Sequence, residues 1–123
     1  MRSLVLAVLL LAGLAAHVQP AEAQDVRMFV RHEVADYATW LKAYNAFNKE
    51  RRKMGVRGAV VYRSLDNPND VTVTHDFRKA ETAKAFATSA RLKEVMEKAG
   101  VKGTPQIWFT NNPDHRNLNM FLM

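Results

Sequence analysis

The chain has 123 residues, no cysteine and a net charge of +6, from 18 lysines and arginines against 12 aspartates and glutamates. That length holds one domain with a modest core, and the lack of cysteine excludes disulfides, thiolate metal sites and lipid attachment through a cysteine. The cations are spread along the chain, and the one dense run, Lys49 with Arg51, Arg52 and Lys53, closes a predicted helix, where cations oppose the negative end of the helix dipole; no nucleic-acid partner is expected.

The first 23 residues read as a secretory signal. Arg2 supplies a positive start, Leu4 to Ala16 form an apolar run, and Ala21-Glu22-Ala23 has the small-x-small pattern of a cleavage site. A membrane anchor would need ~20 apolar residues, and this run is interrupted by His17, Gln19 and Pro20. Cleavage after Ala23 is expected, leaving a periplasmic or secreted protein with no membrane attachment, a domain over 24–110 and a tail over 111–123. A domain of that size without disulfides gains from oligomerisation.

Val26 to Val34 is rich in Val, Met and Phe and reads as a strand. Asp36 is a helix N-cap, and Trp40, Tyr44, Phe47, Arg51 and Met54 recur at three- and four-residue spacing, which predicts one helix with a buried stripe ending at Gly55. At that spacing the aromatics are core residues rather than a cofactor-stacking set. Gly58 to Leu65 and Val71 to Phe77 are strands joined by the turn Asp66-Asn67-Pro68-Asn69-Asp70, so they should pair as a hairpin. Ala80 to Lys98 is helical, anchored by Phe86, Leu92, Val95 and Met96, with a break at Thr88-Ser89. Gly100 and Gly103 stop it, and Gln106 to Thr110 form a short last strand.

The order β-α-β-β-α-β predicts an α+β, ferredoxin-like domain: a four-stranded antiparallel sheet with both helices on one face. Strand alternation puts Val26, Met28, Val30, Val71, Val73, Phe77, Ile107 and Phe109 under the helices. The other face receives Phe29, Arg31, Val60, Tyr62, Thr72, Thr74, Asp76, Gln106 and Trp108. That face is too aromatic for open water and too polar for a dry core, which suits a ligand cavity or a wet interface between two copies of the chain.

Val30-Arg31-His32, Val34-Ala35-Asp36-Tyr37, Trp40, the run Val71-Thr72-Val73-Thr74-His75-Asp76-Phe77 and Gly103-Thr104-Pro105-Gln106-Ile107-Trp108-Phe109 together resemble the antibiotic biosynthesis monooxygenase-like family of the dimeric α/β-barrel superfamily. The resemblance spans roughly residues 26 to 110. It implies a homodimer in which two sheets close a barrel around a cavity. The superfamily includes cofactor-free oxygenases, haem-degrading enzymes, decarboxylases and cyclases. Its oxygenases activate substrate with combinations of Asn, Trp, His, Arg and Tyr; those residue types occur here, but the resemblance does not fix their positions.

The pocket candidates are Arg31, Tyr62, Thr74, Asp76 and Trp108 on the open face, with His32 and His75 inside strands. Both histidines are expected on the helix side, towards opposite ends of the sheet, as satisfied core-rim residues or as a general base. No shared metal and no cofactor are expected. Arg31 and Asp76 share a face on the two central strands, which predicts either a mutual salt bridge or a site for an anionic ligand. Trp108 and Tyr62 would wall a slot for a planar acidic or phenolic molecule, or a quinone. An RNA-recognition module would need aromatics on its third strand, where Thr72, Thr74 and Asp76 stand instead, and a metal carrier would need a cysteine pair. The expected function is therefore small-molecule binding by an exported dimer, with monooxygenase-like chemistry on an aromatic or quinone-like substrate. The alternative is a non-catalytic exported dimer with a binding or structural role.

Overall fold

The computed structural model describes residues 25–112. The expected signal segment, and the tail from residue 113 onward, lie outside the described residues. The elements are β1 (Asp25–Val34), α1 (Tyr37–Ala46), α2 (Asn48–Lys53), β2 (Gly58–Arg63), β3 (Asp70–Phe77), α3 (Ala80–Ala87), α4 (Ala90–Lys98) and β4 (Val101–Asn112). The four strands form one antiparallel sheet in the order β2-β3-β1-β4, so the fold is the α+β, ferredoxin-like one read from the sequence.

Register follows the alternation. Val26 faces Phe77, Met28 faces His75, Val30 faces Val73 and His32 faces Val71 across the central pair. These side chains are buried beneath the helices. The neighbouring rows point the other way: Val60, Thr74, Phe29 and Trp108 lie abreast across four strands, with Tyr62, Thr72, Arg31 and Gln106 in the next row.

Local chemistry places the helix ends. Asp36 caps α1, its Oδ2 accepting from Thr39 N at 2.9 Å, and Ser89 Oγ caps α4 by accepting from Leu92 N at 3.1 Å. The expected break at Thr88-Ser89 is present. The helix expected from Asp36 to Met54 is instead two, parted at Phe47, whose backbone leaves helical geometry at ψ 0. Strand β4 is also longer than the expected 106–110. Gly103, read as a helix stop, lies within it at φ 68, where the β1–β4 register shifts between Arg31 and Glu33. Glycine supplies a left-handed residue at such a bulge without breaking the strand.

Two apolar clusters fill the space between sheet and helices. One joins Met28, Val30, Phe47, Phe77 and Phe86; the other joins Val34, Trp40, Val71, Val73 and Ala99. Asn69 ties the hairpin to the first helix, its carbonyl accepting from Val34 N at 2.8 Å and its Oδ1 from Tyr37 N at 3.1 Å. Gly100 does the same for the end of α4, accepting from Ala35 N at 2.9 Å.

Gly55 follows α2 at φ 102, and a Cβ there would collide with the methyl group of Thr82. Gly55→Ala should therefore destabilise the fold by about 1–3 kcal/mol in urea unfolding. Gly58→Ala, whose Cβ would meet Asp76 Oδ2 at an ordinary 3.6 Å, is the matched control and should cost less.

Candidate functional site

The helix α1 carries Tyr37, Trp40 and Tyr44 on one stripe, and their rings stack in a column. The centroids are 5.9 Å apart for Tyr37 and Trp40 and 4.9 Å for Trp40 and Tyr44. A guanidinium closes each end: Arg63 sits 3.7 Å from the Tyr37 ring centroid and Arg51 sits 3.6 Å from that of Tyr44. Cation–π contacts of this kind are worth about 0.5–2 kcal/mol, the upper values where water is excluded.

The sheet meets this column with its two histidines. His32 packs edge-on against Trp40 at 5.7 Å, and His75 Nε2 lies 3.1 Å from the Tyr44 hydroxyl. Together with Val30, Val73, Phe47 and Arg51 they wall a cavity of about 40 Å³, closed on its outer side by Leu92, Val95, Met96 and Ala99. A water needs roughly 10–15 Å³ of such space, so this one has room for about three. The outer wall is fastened to α2 by Arg91, which donates to Glu50 from Nε at 2.8 Å and from Nη2 at 2.7 Å.

The histidines were expected at opposite ends of the sheet. They are four positions apart along it, yet both line the one cavity, because His32 and Met28, the partner of His75, share the helix-facing parity of β1. The described residues satisfy His75 at Nε2 alone and His32 at neither nitrogen. His32 is 7% exposed and His75 4%, and Nδ1 and Nε2 of His32 and Nδ1 of His75 have no hydrogen-bond partner among the described residues. Both pKa values are pushed down to about 4, chiefly by burial; Arg51 and His32 add to the lowering at His75, and Asp70 and Asp76 oppose it at His32 and His75 respectively. Burial also raises the Tyr44 hydroxyl, against the pull of Arg51. The site thus presents neutral imidazoles at neutral pH, with a tyrosine hydroxyl orienting one of them.

The residues expected on the open face lie there, but their partners differ. Arg31 does not pair with Asp76. It donates to Asp70, 3.1 Å from Nε and 2.7 Å from Nη2, while Asp76 accepts from Arg27 Nε at 2.7 Å. The reason is register: Asp76 lies directly opposite Arg27, whereas Arg31 is opposite Thr72, two residues from Asp70 on the same face. Both arginines are about half exposed, so solvent screening leaves each pair a minor contributor to stability. Trp108 stacks flat on Phe29 at 5.1 Å and 4°, Tyr62 and Val60 are exposed beside them, and Thr74 is buried among its cross-strand neighbours. Among the described residues no group of three or more His, Asp or Glu could hold a metal.

Sequence reading gave Trp40, Tyr44 and Arg51 a place in the core stripe and no chemistry. The signal was present in Arg51, a cation at a stripe position where only apolar residues belong.

This architecture recurs in solved structures. SnoaB, a cofactor-independent oxygenase from Streptomyces nogalater, superposes with a TM-score of 0.59 over 80% of this chain and 98% of its own, at 11% identity. A protein from Bordetella bronchiseptica assigned as an antibiotic biosynthesis monooxygenase gives 0.53 over 71% and 95%, at 19% identity. A conserved protein from Methanosarcina mazei Go1 gives 0.58 over 73% and 94%, at 16% identity. No protein-family model and no curated protein matches the sequence. At these identities the likeness is one of fold: the chain has the ferredoxin-like fold of the antibiotic biosynthesis monooxygenase-like proteins.

The buried histidines make a prediction about pH. Each is neutral in the fold near pH 5, whereas in the unfolded chain it titrates around 6.5. Their stabilisation is complete above pH 6.5 and is lost as pH falls from there towards about 4, because the unfolded chain binds protons that the fold excludes. The loss approaches about 1.4 kcal/mol per pH unit for each histidine. Asp70, Asp36 and Glu50, held below the ordinary carboxylate range by bonds from Arg31, Thr39 and Arg91, add their losses below that window. Urea unfolding at pH 7, 6 and 5 should show the fall, and His32→Phe should remove about half of it.

Proposed function

We propose that this protein binds a small aromatic or quinone-like molecule in the cavity beneath α1 and oxidises it with molecular oxygen, without a cofactor. The observation that carries this reading is a pair of buried histidines in an apolar, aromatic-walled cavity, His32 with neither ring nitrogen bonded and His75 with only Nε2 bonded, to Tyr44. Buried polar groups are normally satisfied, and exceptions concentrate where a ligand or chemistry uses them. The fold shared with SnoaB, a cofactor-independent oxygenase, supports the reaction class.

The chemistry asked of the chain is proton removal. In the tautomer with its hydrogen on Nε2, His75 donates to the Tyr44 oxygen and keeps the Nδ1 lone pair free. A phenol whose O–H reaches that lone pair passes its proton to the imidazole and becomes an electron-rich phenolate. That species reacts with oxygen directly: one oxygen atom ends on the carbon skeleton as a carbonyl, and the other leaves as water with two substrate hydrogens. With its pKa lowered to about 4 the imidazole is a weak base, so the proton transfer is uphill and is drawn forward by the reaction of the phenolate with oxygen. Ligand-sized sites measure about 300–1,000 Å³, so the ring enters by displacing Leu92, Val95 and Met96 of α4 outward.

The same reading assigns the open face to a second copy of the chain. The Phe29–Trp108 stack with Tyr62 and Val60 forms an aromatic patch that soluble monomers seldom leave in water, and pairing would close it into a barrel. Export through residues 1–23 belongs to this proposal as well. The alternative, a non-catalytic dimer, draws support from the open-face charges, since Arg27, Arg31, Asp70 and Asp76 neutralise one another within the chain.

Oxygen uptake with hydroxynaphthalene-type phenols and quinols should be catalysed by the purified protein and fall at least 100-fold in His75→Phe. Catalysis absent, with none of these compounds bound, would leave the non-catalytic dimer. Sedimentation should give a dimer for the native chain and a monomer for Trp108→Glu.

A further inference from the structure

We propose that the cavity beneath α1 is an anion site, in which Arg51 receives the ionised oxygen of an acidic ligand, a phenolate or a carboxylate. This rests on reading the cavity as a small-molecule site, and it adds the charge of the molecule that the site selects.

Arg51 is 4% exposed, the one arginine buried among the described residues. Taking a guanidinium out of water costs several kcal/mol unless an opposite charge and a full set of acceptors replace the solvent. Arg27, Arg31 and Arg91, all about half exposed, each have a carboxylate within 2.7 Å. Arg51 has none within salt-bridge reach among the described residues. Its contacts are neutral: the Tyr44 carbonyl oxygen, Asn48 Oδ1 at 3.4 Å and the Tyr44 ring. These neutral acceptors engage Nη1 and Nη2 and leave the charge itself unbalanced.

The groups facing the cavity complete the case. The lining takes Tyr44 from α1, Arg51 from α2, His32 from β1 and His75 from β3, while α4 contributes only apolar side chains. No carboxylate lines it. Asp70 and Asp76 act on the histidines from the other face of the sheet, and each is already paired with an arginine there. An oxyanion settling in this largely apolar space draws towards it the Arg51 guanidinium and the two imidazoles, which belong to residues of its walls. A neutral ligand of the same shape leaves the guanidinium uncompensated. The cavity of about 40 Å³ takes the oxygens of such a headgroup, with the ring directed towards α4.

The probe is 4-nitrophenol, whose ionised form is yellow, with the uncharged 4-nitrobenzyl alcohol as its partner in shape. When 4-nitrophenol is titrated with the full chain, its apparent pKa on the protein should fall by one unit or more, equivalent to at least tenfold tighter binding of the phenolate than of the phenol. Benzoate should displace it. Arg51→Met should abolish the shift while 4-nitrobenzyl alcohol binds as before, and Arg51→Lys should keep part of it. Bound 4-nitrophenol that titrates as it does in water, or a shift that survives in Arg51→Met, would overturn the anion site and leave small-molecule binding standing. Binding of neither probe would overturn both. Should Arg51→Met fail to fold, the native titration and Arg51→Lys decide the matter.

Discussion

The structure depends on a column of three rings laid along one side of α1 and clamped at both ends by arginine. Tyr37, Trp40 and Tyr44 stack on one another, Arg63 and Arg51 cap the stack, and His32 and His75 join it to the sheet. Rings packed this way fill a large volume with few rotatable bonds, so they set the gap between helix and sheet at low entropic cost. They cannot fill it without leaving irregular space at their edges. The cavity lies there, beside Tyr44, where the flat rings give way to the branched side chains of α4.

The two faces of the sheet handle polarity in opposite ways. On the open face, the charged residues of the central strands pair near solvent, Arg27 with Asp76 and Arg31 with Asp70. On the helix side, where desolvation is far more costly, His32, His75 and Arg51 lack comparable partners. A fold under selection for stability alone would put apolar residues at all three positions, as replacing buried ionisable groups by well-packed ones is often neutral or stabilising. Retaining them beneath the helices is costly to stability and concentrates neutral base, hydroxyl and cation within one small volume. That concentration is the physical basis for placing function on the helix side of the sheet.

Motion has an obvious place to occur. The helix α4 is short, forms the outer wall of the cavity and is held to α2 from the solvent side through Arg91 and Glu50, both near 45% exposed. An exposed pair of this kind contributes little and opens readily. The strands and α1, by contrast, are locked by the ladders and by Asn69, which bonds to the backbone of both β1 and α1. A ligand that enlarges the cavity therefore works against α4 and not against the sheet.

Much of the fold was legible in the sequence because it follows from local rules. Strand alternation separated Met28, Val30 and Val73 from Phe29, Arg31 and Thr74, and the pleat leaves no freedom in that assignment once a residue's parity is known. Asp36, Ser89 and Gly55 marked helix ends by their own chemistry. What parity does not contain is lateral register. The choice of Arg27 over Arg31 as the partner of Asp76 rests on which residues stand opposite across β1 and β3, and that is set by the packing of whole strands and not by any turn between them. The break at Phe47 and the strand running through Gly103 are likewise tertiary outcomes. The grouping of the site was decided at this level: His32, His75, Tyr44 and Arg51 come from four different elements, and nothing in the sequence places them together. Only the packing of α1 and α2 onto β1 and β3 turns them towards one cavity, because burial and partner count are properties of the assembled fold and not of any segment of the chain.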